Sequence, residues 1–267
     1  MGLKVSGVMS VDEAQAALDA GAFAIGLVAL EGIPPARLGA GGHLPDDGIR
    51  EICDHIAEAD PRVWATLVTS KRGGAAIADH IHRTHAGAVR IVGACEPRDW
   101  VIIRAAHPSV KIIQEIDPGA PDALEIARKA DGHVDAILLD CGARGDDAAS
   151  LCADWRSGRN IAASVATPII VSGGLRPDNV DAAVEAVRPE GVAATIRLGA
   201  GKSSKGALTS LELITLRERF AAAYYRTEEN AVLHAAQESS LAGDFPDGSD
   251  NGAMTPASTT PRDAEDA

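Results

Sequence analysis

Residues 169–180 read IIVSGGLRPDNV. A short apolar run meets a glycine pair, and the pair leads through Pro177 and Asp178 into the alanine-rich stretch VDAAVEAV. A continuous apolar run of this length is a strand buried on both faces, and apolar residues at i, i+3 and i+4 beyond it mark a helix. Pro177 suits the first turn of that helix, and Asp178 suits its positive end. Gly173 and Gly174 let the backbone approach a ligand closely, and the helix N-terminus behind them presents amides to an anion. The stretch therefore reads as a strand-loop-helix unit with the composition of a phosphate cradle; an ordinary tight turn is the alternative.

The same unit recurs along the chain. Apolar runs stand at LKVSGV (3–8), AFAIGLVAL (22–30), RVWATLVT (62–69), GAVRIVG (87–93), SVKIIQEI (109–116), VDAILLD (134–140), TPIIVSGG (167–174) and GVAATIRLG (191–199), each followed by a helical pattern. Strand-helix alternation requires a parallel sheet, and eight repeats favour closure into a (β/α)8 TIM barrel of the α/β class over an open doubly wound sheet. Ser10 with Glu13 three residues on has the spacing of a capping box at the first helix. The last helix is expected over about 207–226. We therefore expect a single barrel domain over 1–226 and an extension over 227–267, mostly disordered. Gly, Ser, Thr, Pro and Asp dominate its end, a composition that buries too little apolar surface to order itself.

Aromatic residues are only 3% of the chain, so the core must be built from Ala, Val, Ile and Leu. With few stacking aromatics and a net charge of −13, the composition gives little support to nucleic-acid binding. From Thr227 onward there are nine acidic residues and one arginine, so much of that charge lies in the extension. The four cysteines form no CxxC pair, which argues against a zinc site and a disulfide framework. No run reaches membrane-span length and the start lacks a signal-type apolar core, so a cytoplasmic protein without membrane contact is expected.

In such a barrel the working side chains sit at the C-terminal strand ends. Ser6 stands at the end of the first expected strand and Asp140 ends the sixth run. A carboxylate there is a general acid/base or a capping acceptor. The loop TIRLGAGKSSKG (195–206) would complete a phosphate site with Arg197, Gly199 and Lys202, or else form a solvated polar loop. HIHRTH (80–85) reads as a solvated helix face and not as a metal site.

Three stretches resemble the phosphoribosylanthranilate isomerase family of tryptophan biosynthesis. LKVSGVMSVDEAQAALDAGAFAIGLV is similar to the family start K-I-C-G-I followed by e-D-A and G-A-d-A-I-G-F-V; ILLD is similar to its sixth-strand L-L-D; VSGGLRPDNV is similar to its G-G-L-x-P-x-N-V. The resemblance implies an amino-acid-biosynthesis barrel of about residues 3–222. It implies an intramolecular oxidoreductase, an aldose–ketose isomerase that performs an Amadori-type rearrangement of a phosphorylated sugar amine. It further implies no cofactor and no metal, a small phosphorylated substrate as partner, and a monomer or homodimer. On it, Asp140 is the acid and Gly173 and Gly174 hold the phosphate.

The chain also departs from the pattern. Ser6 stands where the family has its catalytic cysteine base, and a hydroxyl needs an adjacent base to do that work. The family's V-Q-L-H-G becomes Val89-Arg90-Ile91-Val92-Gly93, which aims Arg90 into the barrel mouth on the parity of the family's inward glutamine. There it needs an anionic partner: Asp140, Glu115 or a substrate carboxylate. Glu115 offers a replacement base. The family's arginine for the anthranilate carboxylate aligns near Gly41-Gly42, with Arg37 nearby, and its eighth-strand acidic residue is absent. Two other functions follow from these changes: a different sugar-phosphate isomerase, epimerase or lyase, and a non-catalytic phosphate-ligand-binding homologue.

Overall fold

All eight apolar runs form strands. The computed structural model describes residues 2–30, 43–141, 148–196 and 207–242, the side chains of 148–153 and 233–242 aside. Its elements are β1 (Gly2–Ser6), α1 (Val11–Asp19), β2 (Ala22–Ala29), α2 (Asp46–Ala59), β3 (Trp64–Thr69), α3 (Gly74–Thr84), β4 (Ala88–Ile91), α4 (Pro97–Ala106), β5 (Lys111–Ile116), α5 (Ala123–Ala130), β6 (Ala136–Asp140), α6 (Ala148–Ala162), β7 (Ile169–Ser172), α7 (Val180–Val187), β8 (Gly191–Ile196), the two-residue β9 (Ala207–Leu208) and α8 (Ser210–Ala242). The eight main strands pair in parallel in chain order, and β8 returns to pair with β1. The sheet is closed, so the chain is a (β/α)8 TIM barrel and the open sheet is ruled out.

Strand period two divides the apolar residues into two cores. One parity packs outward under the helices: Leu3, Val5, Ile25, Leu27, Val89 and Ile112 meet helical residues such as Ala14, Ala17, Ile49 and Ile56. The other parity fills the barrel floor with Ile113, Ala136, Leu138, Ile170 and Ala193, closed by Phe23 and Trp64 in an edge-on ring contact. Register carries this inner parity round the barrel. Lys4 stands level with Ala24 on β2 and Ala193 on β8, and Arg90 stands level with Ile113 on β5. Ser6, Glu115 and Asp140 follow two residues further along their strands, toward the C-terminal rim. Large branched residues normally fill such an interior. Here alanine and glycine at several inner positions leave room for a lysine and an arginine.

The turns hold the rim. At α1, Glu13 donates its amide to the Ser10 hydroxyl at 3.2 Å, and its carboxylate accepts the Met9 amide at 2.7 Å. This fastens the loop after Ser6 at the predicted spacing. Two expectations change. Pro177 and Asp178 lie in a turn before α7, whose N-cap is Asn179. The reason is that the Asn179 side chain closes the loop, accepting from the Arg176 amide at 2.8 Å and donating to the Gly174 carbonyl at 2.9 Å. The last helix, expected to stop near residue 226, runs to Ala242, since residues 227–242 contain neither glycine nor proline. Contacts divide the chain into Met1–Glu228 and Glu229–Ala267. The remainder of the expected disordered extension, 243–267, lies outside the described residues.

Candidate active site

Ser6 ends β1 beside Gly26 of β2 and Thr195 of β8. Lys4 lies two residues back on the same strand face and is fully buried. Its Nζ is 3.0 Å from Ser6 Oγ. Gly26 makes this contact sterically feasible: a Cβ there would stand 2.7 Å from Lys4 Nζ and 3.2 Å from Ser6 Oγ. Burial pushes the Lys4 ammonium down from 10.5 to about 7, the Arg90 guanidinium adds to that, and the Glu115 carboxylate opposes it. Near neutral pH the amine therefore exists substantially without its proton.

Arg90 has its partner within the protein. Its Nε donates to Glu115 Oε2 at 2.6 Å, and the two side chains are 12% and 14% exposed. Burial works against the charged guanidinium, but the carboxylates of Glu115 and then Asp140 outweigh it and hold Arg90 above its ordinary value. Of the partners open to Arg90 in the sequence, Glu115 makes the bond and Asp140 adds its field. Glu115 is thus engaged by Arg90 at the rim. Asp140 is half-buried at the end of β6, beside Ser172 of β7.

After Ser172 the chain turns through Gly173 at φ 92° and Gly174 at φ 61°. Both values lie in the region that favours glycine. The Asn179 bonds fix this turn ahead of α7, so its backbone is preorganised at the rim. Arg197, Gly199 and Lys202 lie outside the described residues, as do Arg37 and the Gly41-Gly42 pair.

The histidine-rich stretch is not uniformly a solvated face. His82 and His85 are exposed, whereas His80 is buried between Thr69 Oγ1 at 3.1 Å and Asp46 Oδ1 at 3.0 Å. It points under α3 toward β3 and α2, because position 80 shares the inner helix face with Ile77, Ile81 and Thr84. Among the described residues no group of three or more His, Cys, Asp or Glu is placed to hold a metal ion, and no helix is long and apolar enough to cross a membrane. Cys53, Cys95 and Cys141 are free and buried. Burial first, then nearby carboxylates, pushes the Cys53 and Cys95 thiols to about 12 and raises Cys141 as well, so none of the three is a ready thiolate.

The residue that sequence reading missed is Lys4. Its signal was present: a lysine two positions before Ser6, hence on the same strand face, inside a run otherwise fit for burial on both sides.

No protein-family model matches the chain. It is 30% identical over 224 residues to N-(5'-phosphoribosyl)anthranilate isomerase 2 of Methanosarcina mazei, an alignment covering 82% of this chain and 93% of that protein. It is 32% identical over 191 residues to N-(5'-phosphoribosyl)anthranilate isomerase of Methanocella arvoryzae, covering 71% and 85%. Among solved structures, phosphoribosyl anthranilate isomerase of Thermotoga maritima superposes with a TM-score of 0.64 at 20% identity, covering 83% of this chain and 99% of that one. A phosphoribosyl anthranilate isomerase in complex with reduced 1-(o-carboxyphenylamino)-1-deoxyribulose 5-phosphate gives 0.62 at 19% identity, with the same coverage. At these identities the solved structures speak to the fold.

Proposed function

The chain belongs to the N-(5'-phosphoribosyl)anthranilate isomerase family, and from that premise we propose that it catalyses the Amadori rearrangement of phosphoribosylanthranilate. The observation that carries this reading is the family likeness over most of the chain together with Asp140 and Ser6 at the C-terminal strand ends of one barrel.

In this reading the backbone of Gly173 and Gly174 receives the phosphate, with Arg197, Gly199 and Lys202 of the eighth loop as further anion donors. Asp140 gives a proton to the ring oxygen. The C1–O bond breaks, and the nitrogen lone pair forms an iminium at C1. The C2–H bond then breaks at a base on the Ser6 side. Its electron pair forms C1=C2, and the iminium pair returns to nitrogen. The enolamine ketonises to the 1-deoxyribulose product. Arg90 remains paired with Glu115 and contributes positive field near the developing enol, which strengthens in a site closed to water. The protein acts in the cytoplasm as a monomer or homodimer, which sedimentation distinguishes.

The deciding assay mixes the purified full chain with freshly generated phosphoribosylanthranilate and follows loss of its fluorescence. Turnover that Asp140→Asn abolishes supports the reading. Fluorescence decay no faster than buffer at high protein concentration refutes it.

A further inference from the structure

Ser6 occupies the base position but is an alcohol, and an unassisted hydroxyl does not take a proton from carbon at neutral pH. The barrel interior answers this with its own geometry. We propose that Lys4 is the proton acceptor that turns Ser6 into the base: as Ser6 Oγ takes the C2 proton, the Ser6 hydroxyl proton passes to Lys4 Nζ. The inference rests on the isomerase reading above and names how its weakest step is accomplished.

Four observations carry it. The two atoms are 3.0 Å apart, within reach of direct transfer. Lys4 is fully buried, and its amine stands beneath Ser6 on the same strand face. Among the described residues Lys4 forms no ion pair, because the carboxylate that opposes its deprotonation, Glu115, is itself bonded to Arg90. Gly26 keeps clear the space that both atoms occupy. The charged groups on the elements around it are Arg90 from β4, Glu115 from β5 and Asp140 from β6; β2 and β8 bring Ala24, Gly26, Ala193 and Thr195, which carry no charge. Under this balance the amine titrates near 7, so a substantial fraction lacks its proton at neutral pH.

The step balances. The C2–H bond breaks, an O–H bond forms at Ser6 while its former O–H bond breaks, and an N–H bond forms at Lys4. Ketonisation removes the O2 proton as C1 gains one. Lys4 then releases its proton and Asp140 regains one, which leaves an isomerisation with no external oxidant or reductant. Lys4 touches Ser6 and not the substrate, so it is a positioning and proton-accepting residue behind the catalytic hydroxyl.

The test has two arms on the full chain. In the first, 13C-labelled lysine is followed by NMR against pH. One resonance should titrate near pH 7, vanish in Lys4→Met and move in Ser6→Ala. A Lys4 resonance titrating near 10 overturns the inference whatever the activity. In the second arm, Lys4→Met and Lys4→Arg are made in the wild-type and Ser6→Cys backgrounds, and thermal unfolding confirms that each variant is folded. The wild-type kcat should rise with pH through a limb near 7. In the serine background both Lys4 variants should lose about 100-fold or more in kcat with KM little changed. With Ser6→Cys the loss should be under about 10-fold, because a thiol ionises with far less help. Equal losses in both backgrounds mean a merely structural lysine and overturn the inference while the isomerase reading stands. Absence of turnover by both wild type and Ser6→Cys overturns the isomerase reading, and the inference falls with it.

Discussion

Arg90 on β4 and Glu115 on β5 form an ion pair across neighbouring strands, Nε to Oε2 at 2.6 Å, inside the barrel mouth. Each is mostly removed from water, so removal of one charge strands the other. Glu115→Gln should destabilise the protein by about 3 kcal/mol, read as a lower urea midpoint at unchanged slope. The double change Arg90→Met with Glu115→Leu should recover most of that loss, since an apolar pair of similar volume leaves no buried charge. The same Glu115→Gln variant removes the one carboxylate that favours the Lys4 ammonium, and the Lys4 midpoint should fall below that of wild type.

Gly26→Ala tests whether the Lys4–Ser6 contact matters apart from either group. The new methyl would meet Lys4 Nζ at 2.7 Å, and that atom is the far end of a flexible chain. Relief comes from swinging the amine away from Ser6, at a folding cost of about 1–2 kcal/mol. The kcat should fall by more than about 10-fold while thermal unfolding shifts only by a few degrees. A variant with full activity would show that Ser6 does not depend on its neighbour.

Asp140→Asn keeps the shape of the rim and removes the proton that, in the proposed reaction, opens the ring. We expect kcat to fall by about 10²–10⁴-fold with the fold intact. Gly173→Ala, by contrast, strains a backbone held at φ 92° and should raise KM first. The split between the two variants separates proton donation from phosphate holding in a single set of saturation curves.

Much of this architecture was legible because strand burial leaves a coarse, redundant signal. All eight runs became strands, and SGGLRPDNV became a glycine turn before a helix. What escaped notice depended on side-chain direction. LKVSGV reads as an apolar run, and only its period-two spacing reveals that Lys4 and Ser6 face the same way. His80 follows the same rule: HIHRTH looks polar, while position 80 lies on the inner face of α3. Pro177 reads as helical in sequence because the Asn179 side chain, which closes the loop, announces itself only in three dimensions. The partner of Arg90 could not be chosen from sequence, because Glu115 and Asp140 both end strands on the same side of the barrel.

His80 should make stability depend on pH. Burial lowers its pKa below the ordinary 6.5, the Asp46 carboxylate opposes this, and the cations of Lys71 and Arg83 reinforce it. The unfolded chain therefore takes up a proton near 6.5 that the folded chain resists. Its stabilising contribution is complete above that pH and is lost as pH falls through 6.5 toward the lower folded value. Asp46 has a depressed pKa and loses its own contribution only at more acid pH, through the carboxylate range. Denaturant midpoints at pH 8, 7, 6 and 5 should decline between 7 and 5 in wild type, and His80→Gln should flatten that decline relative to wild type.

Lys4 should leave a signature of the same sign at alkaline pH. The folded amine gives up its proton at about 7, while the unfolded one keeps it until about 10.4. Between those values the unfolded chain binds more protons, so stability rises with pH across this window on account of Lys4. The buried thiols act in the other direction: Cys53 and Cys95 stay protonated to about 12 while unfolded thiols ionise near 8.5, which lowers stability above that pH. Subtraction of the Lys4→Met profile from the wild-type profile removes the thiol contribution. The difference should favour wild type progressively more from pH 7 to 10 and level off beyond. A flat difference would mean that Lys4 keeps its proton in the folded barrel, and Ser6 would then have no acceptor behind it.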